Sequence, residues 1–258
     1  MTPIVGRYTG NVVSFETHGV VRKRYAREDH YHTERDALSA LAGCELPVPR
    51  LLAHDCEAGK CHIDMTRLPG VVPAPGHSNA SPHAFGRLAR RLHDATRARD
   101  FRSSSLRARE STGLLSALDR LPTEVDVEAV NRLIVRNFDL IDGLPSARAL
   151  IHRDLRWDNL LYDEVSGELG LIDFEVSAVG RPEGDLSRVL LVELAPAERD
   201  PFLNGYGIDS EGFQALPIMN AVFAIEMLVH FCGRHLAPEE IALRDRLVSI
   251  LNATKAEA

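Results

Sequence analysis

Lysine is almost missing from this chain. Of its 30 basic residues, 27 are arginine, and only Lys23, Lys60 and Lys255 are lysine. Tryptophan occurs once and cysteine four times in 258 residues. Cys44, Cys56, Cys61 and Cys232 have no tight metal-ligand spacing, because no second pair answers Cys56 and Cys61. That excludes a cysteine zinc site and predicts reduced, mostly buried thiols in a cytoplasmic protein. No uninterrupted apolar run approaches the roughly 18 residues a membrane-spanning helix needs. The N-terminus has no basic stretch leading into an apolar one, so no secretory signal is expected. Internal repeats and low-complexity tracts are also missing.

What is present is enough for a large core or two modest lobes: 45% of the residues are apolar. Charge is unevenly divided. Residues 1–99 carry 14 basic against 10 acidic side chains, and residues 100–258 carry 16 against 27. A mildly basic front suits nucleotide phosphates. An acidic rear suits a cationic partner and disfavours nucleic acid, although acidic surfaces also serve solubility.

Local patterns set the architecture. Val12–Phe15 and residues 20–25 read as short strands about a turn at His18 and Gly19, followed by helical spacing from Tyr31 to Leu41. Residues 50–54 and 61–65 read as two more strands. The stretch 69–82, rich in Pro, Gly, Ser and Ala, is the best linker. Ser81 and Pro82 then open a helix with Phe85, Leu88, Ala89 and Leu92 on one face. Further helices are predicted at about 105–120, 124–142 (ending at Gly143), 185–194, 217–233 and 238–252. Two strands, 159–162 and 169–173, flank a turn at Ser166 and Gly167. The result is an α+β chain, with a small antiparallel-sheet lobe over residues 1–68 and a larger, mainly helical lobe over 69–258.

The strongest chemical signal runs from Ile151 to Phe174. After the apolar strand 149–151 come His152, Arg153 and Asp154, then Asn159 five residues beyond the aspartate. Asp173 follows in an Ile-Asp-Phe triplet. This is the H-R-D-x-x-x-x-N plus D-F spacing of a phosphoryl-transfer site. Asp154 can accept the proton of an attacking hydroxyl, and Asn159 and Asp173 offer hard oxygens to Mg²⁺. Arg156 either reaches the γ-phosphate or is an exposed loop arginine. In a chain so poor in lysine, Lys23 stands out between Arg22 and Arg24 in an apolar strand. A compact ammonium there would touch nucleotide phosphates, with Glu34 on the next helix as its carboxylate partner. Arg22 is the substitute if the strand faces the other way.

Together these residues resemble the aminoglycoside phosphotransferase and choline kinase superfamily, with its bilobal protein-kinase-like fold, from about Gly10 to Leu251. The segment 88–93, ending in Leu92 and His93, is similar to the family's Leu-His helix. The segment 65–70 is similar to its hinge, which implies that adenine meets the backbone of Thr66 and Leu68. Residues 180–186 are similar to its Gly-x-Pro…Asp-Leu segment, which implies that Asp185 braces the catalytic loop or caps the next helix. The resemblance implies transfer of a phosphoryl group from ATP or GTP, with Mg²⁺, to a small-molecule hydroxyl. Protein kinases match less well: no G-x-G-x-x-G loop precedes Lys23, only the stretch from Gly6 through Gly10 to Asn11, and Glu175 stands where glycine would follow Phe174.

Acceptor residues are less distinct. Taken singly, Asp158, Glu175 and Glu226 are each better read as facing solvent at an edge; as a set they are the candidates to line a site for an amine-bearing acceptor. Trp157 stacks on a sugar or cation, or packs the loop. His30, His32, His77 and His83 have no metal spacing. The readings that follow are an O-phosphotransferase acting on an aminoglycoside or related basic antibiotic, a metabolic kinase for a choline-like amine, sugar or amino alcohol, and a nucleotide-binding pseudokinase. None involves nucleic acid or a membrane.

Overall fold

The structure is a computed structural model that describes residues 4–5, 10–16, 19–73, 80–97, 104–106, 111–142, 148–208 and 210–253. His18, His77, Gly6, Gly143 and the centre of the 69–82 linker lie outside the described residues. β1 (Ile4–Val5), β2 (Val12–Phe15), β3 (Val20–Tyr25), β4 (Leu51–Glu57) and β5 (Lys60–Thr66) form one antiparallel sheet in the order β1-β2-β3-β5-β4. α1 (Glu28–Ala40) lies against it through buried Tyr31, Glu34, Ala37 and Leu38.

One expectation for this sheet is overturned. Cys56 and Cys61 are not separate thiols but are joined as a disulfide. The cause is the β4–β5 turn, where Ala58 and Gly59 both adopt positive φ, 48° and 75°. That is the tight hairpin geometry that sets residues 56 and 61 opposite each other. Of the remaining two, Cys44 is partly buried and Cys232 is exposed.

The rear of the molecule is built on helices. α2 (Pro82–Thr96) starts at Ser81, whose side chain accepts the Ala84 N–H, with Pro82 in the first turn. α3 (Ser111–Leu115), α4 (Val127–Arg136) and α5 (Phe138–Asp142) follow. Single helices expected at 105–120 and 124–142 are therefore broken into pieces; Asn137, at φ −115° and ψ 22°, ends α4. β6 (Ala149–Ile151) pairs with β9 (Ala178–Gly180), and β7 (Leu160–Asp163) with β8 (Glu168–Leu171). α6 (Glu183–Arg188) runs into a π turn at Val189–Glu193, and α7 (Pro196–Tyr206), α8 (Ser210–Phe231) and α9 (Pro238–Ala253) complete the chain. α7 was not legible in the sequence, and α8 begins before the expected residue 217.

Two packing features position the site. α2 and α7 touch at Gly86 and Gly205, where a β-carbon would run into Phe202 O and His83 O. Gly70 adopts φ +104°, and a β-carbon there would lie 2.5 Å from Tyr162 O. This close approach lets Val71 exchange backbone hydrogen bonds with Tyr162 of β7, at 3.1 and 2.8 Å. One apolar core runs from Tyr25 and Ile63 of the sheet through Phe85 and Leu92 to Phe174 and Phe202, across the 68/69 division. A second gathers α4, α8 and α9. The span Gly212–Phe231 of α8 is long and apolar enough on average to cross a membrane, but it is a largely buried core helix here.

Candidate active site

The loop leaves β6 at His152 and enters β7, which belongs to a different two-stranded sheet, through a 3₁₀ turn, Trp157–Asn159. His152 is fully buried; its Nε2–H donates to Ile172 O at 2.9 Å, and its ring meets Phe174 edge-on. Arg153 is held at φ +65°, a left-handed conformation that non-glycine residues seldom adopt. What holds it is Asp185, whose two oxygens accept the N–H groups of His152 and Arg153, both at 2.7 Å. Asp185 also accepts from His93 Nε2 at 3.0 Å, and His93 Nδ1 in turn accepts the Tyr206 hydroxyl at 3.0 Å. Burial alone would push the Asp185 carboxyl up; the hydrogen bonds it accepts from His93 and from the His152 backbone outweigh that and hold it below the usual range. Asp185 therefore braces the loop, and the α6 N-cap is Pro182 instead.

The Asp154 side chain is held at both oxygens. Arg188 Nη2 lies 2.8 Å from Oδ1, and Asn159 Nδ2 donates to Oδ2 at 3.0 Å and to the Asp154 carbonyl at 2.9 Å. With its nitrogen turned to Asp154, Asn159 keeps its side-chain oxygen for another partner. Arg156 pairs with Asp158, which is largely exposed. Burial would lower the Arg156 pKa, but Asp154, Asp158 and Glu193 raise it overall. Trp157 packs against Phe85, with centroids 4.9 Å apart, which supports its packing role.

A second cluster centres on Lys23, which is nearly buried. Its Nζ lies 2.7 Å from Glu34, 2.5 Å from Asp173 and 2.7 Å from Glu175. Burial pulls the ammonium's pKa down, and the three carboxylates more than reverse it. Glu34 also accepts the Tyr25 hydroxyl at 2.7 Å and the Phe174 N–H at 3.1 Å, fixing α1 to the strand and to the Asp173 loop. Asp173 sits at φ +71°, and Lys23 holds its carboxyl low against the opposing effect of burial. Burial raises Glu175 to about 6 despite Lys23, with Asp173 adding to the rise. Oxygens of Glu34, Asp173 and Glu175 lie within 4.8 Å of one another. This hard-oxygen set, faced by one ammonium, suits a small divalent cation.

Several acceptor expectations change. Glu175 does not belong with the acceptor residues. It contacts Lys23, accepts from Asn11 Nδ2 at 2.5 Å, and lies 3.5 Å from His30, because the turn after Phe174 folds it toward the sheet. Glu226 faces Arg153 at 3.5 Å, so neither it nor Asp158 is an unpaired anion. At the hinge, the Thr66 N–H pairs with Arg50 O at 2.9 Å, which leaves only its carbonyl for a purine, and Leu68 lies just past the strand end. Arg188, Glu193, Asn11 and Tyr206 escaped sequence reasoning. Only Arg188 left a trace there, being three residues after Asp185 on the same helix.

The comparisons agree with this geometry. A model of the phosphotransferase enzyme family matches residues 2–218, and the chain belongs to that family. It is a small-molecule phosphotransferase with the protein-kinase-like fold of the superfamily. Among solved structures it is similar to the choline kinase LicA of Streptococcus pneumoniae, at 18% identity and TM-score 0.70, covering 98% of this chain and 94% of that one. It is also similar to an aminoglycoside 2'-phosphotransferase in a GDP complex, at 17% identity and TM-score 0.65, covering 99% and 91%. A microcompartment-associated aminopropanol kinase gives 15% identity and TM-score 0.62, covering 99% and 90%. No curated protein matches the sequence.

Proposed function

We propose that the protein transfers the γ-phosphoryl group of ATP or GTP to the hydroxyl of a small molecule. The observation that carries this is the Lys23 cluster, a cation held by Glu34 and Asp173, standing with a separately braced Asp154. Lys23 would touch the nucleotide phosphates, with the purine against the Thr66 carbonyl and Leu68. Asp173 and Glu175, with the side-chain oxygen of Asn159, would hold Mg²⁺. When bound, Mg²⁺ would screen the charge that develops on the phosphate oxygens. Asp154 would orient the acceptor hydroxyl and take its proton as the bond to phosphorus forms. Because the transition state is loose, alignment outweighs early deprotonation. The cytoplasm, where nucleoside triphosphates are abundant, is the working compartment we infer.

For the acceptor, a compact hydroxyl compound of low charge, such as an amino alcohol or choline-like amine, is favoured. The support is that Asp158 and Glu226 are each paired with an arginine, so a polycation would have to displace positive charge in order to bind. An aminoglycoside or related basic antibiotic is the second reading, supported by the acidic balance of residues 100–258.

The test is a coupled ADP- or GDP-release assay with Mg-ATP and Mg-GTP, over amino alcohols, choline, sugars, aminoglycosides and peptide antibiotics. We expect turnover on a compact alcohol and its loss in Asp154→Ala. Undiminished turnover in that variant would overturn the mechanism. Nucleotide binding with no turnover on any acceptor would mean a pseudokinase.

A further inference from the structure

Two side chains of α6 face the catalytic loop, one helical turn apart. Asp185 takes the N–H groups of His152 and Arg153. Arg188, three residues on and therefore on the same face, reaches Asp154 Oδ1 at 2.8 Å. Beyond Arg188 the helix widens into the π turn Val189–Glu193, an irregularity frequent at functional sites. The turn brings Glu193 back to the loop, with Oε1 3.7 Å from Arg188 and Oε2 accepting the Trp157 N–H at 3.3 Å. One continuous segment, residues 185–193, thus grips the loop at its start, at its aspartate and at its exit.

We propose that Arg188, backed by Glu193, is a positioning residue for phosphoryl transfer. It fixes the plane of the Asp154 carboxylate so that the acceptor hydroxyl meets a defined oxygen. The proposal rests on the phosphotransferase reading above. A carboxylate's terminal torsion is broad, so an aspartate held at one oxygen alone swings. Here Asn159 holds Oδ2 and Arg188 holds Oδ1, which removes that freedom before substrate arrives. The Arg188 side chain is only 12% exposed, so little water competes for it. Its Nε is buried and finds no acceptor among the described residues.

The test compares wild type, Arg188→Ala, Arg188→Lys and Asp154→Asn. Mg-ATP turnover is measured with water as acceptor and again with choline and 1-amino-2-propanol, alongside Mg-ATP affinity and thermal unfolding. Arg188→Ala should lower turnover on the order of 10²-fold, the scale of a misplaced reacting group, with Mg-ATP Kd within about twofold of wild type. Millimolar guanidinium should restore much of the lost rate in Arg188→Ala and none in Asp154→Asn. Arg188→Lys keeps the charge and loses the planar fork, so it should fold normally and fall between the two. Unchanged turnover in Arg188→Ala with a lowered Tm would overturn the proposal and leave a structural ion pair. So would a rate loss that matches weakened Mg-ATP binding. A wild type that turns over Mg-ATP with none of water, these two alcohols, sugars, aminoglycosides or peptide antibiotics would instead remove the phosphotransferase reading, and this proposal with it.

Discussion

Around Lys23 a single ammonium faces Glu34, Asp173 and Glu175, whereas around Asp154 the carboxylates are matched by guanidinium groups. Arg188 serves both Asp154 and Glu193, Arg156 serves Asp158, and Arg153 serves Glu226. The first region is short of positive charge, so a divalent cation would complete it. The second is nearly balanced, so adding or removing charge there disturbs it. The chain's use of arginine follows the same division: lysine appears where a compact cation must meet three carboxylates, and arginine where planar forks bridge pairs.

The comparison breaks most sharply at the two charged centres themselves. Asp154→Asn should reduce acceptor phosphorylation by about 10³-fold, within the range for loss of an acid–base group, and leave Mg-ATP binding intact. Steady-state ADP release and calorimetric titration would check both halves. Lys23→Met should leave the buried Glu34 and Glu175, and the partly exposed Asp173, without the ammonium and destabilise the protein by about 3–5 kcal/mol, as when one partner of a buried pair is removed. Urea unfolding would measure this, and added Mg²⁺ should recover part of the loss.

Glu175 supplies a pH test. Its folded pKa of about 6 lies above the ordinary carboxylate value. The carboxyl therefore favours the folded state while protonated, and that contribution, present below about 4.5, is lost as the pH rises through 6. Thermal unfolding from pH 4.5 to 7 should show this loss in wild type. Glu175→Gln should flatten it, and Mg²⁺ should oppose it in wild type. The smallest expected effect is on the balanced side. Arg153→Ala removes the guanidinium facing Glu226, and KM should fall several-fold for cationic acceptors relative to neutral ones, read from paired kinetics on choline and an uncharged alcohol. Equal KM changes for both would separate Glu226 from acceptor choice.

Much of this was legible because it is local. Asp154, Asn159 and Asp173 announce themselves by spacing, and Ser81 with Pro82 announces α2. The Lys23–Glu34 pair could be guessed from a strand followed by a helix. The cysteine pairing was missed because attention fell on metal spacing, when a two-residue turn with positive φ at Ala58 was what brought Cys56 and Cys61 together. The fracture of the 105–120 and 124–142 helices was hidden because apolar periodicity continues through breaks such as Asn137. Glu175 was assigned to the wrong region because its neighbour in sequence, Phe174, says nothing of which way the chain turns next.

The amino-acid sequence by itself determined the phosphoryl-transfer motif, the order of sheet and helices, and the candidate site residues Lys23, Asp154, Asn159 and Asp173. These depend on spacing along one strand, turn or helix. Beyond the Lys23–Glu34 pair, tertiary structure decided which charges neutralise one another. It brought Glu175 to Lys23 across about 150 residues of chain, and it turned α6 and its π turn so that Arg188 and Glu193 face Asp154. The reason is that an ion pair forms between side chains close in space, and folding sets that closeness through packing that no local pattern records.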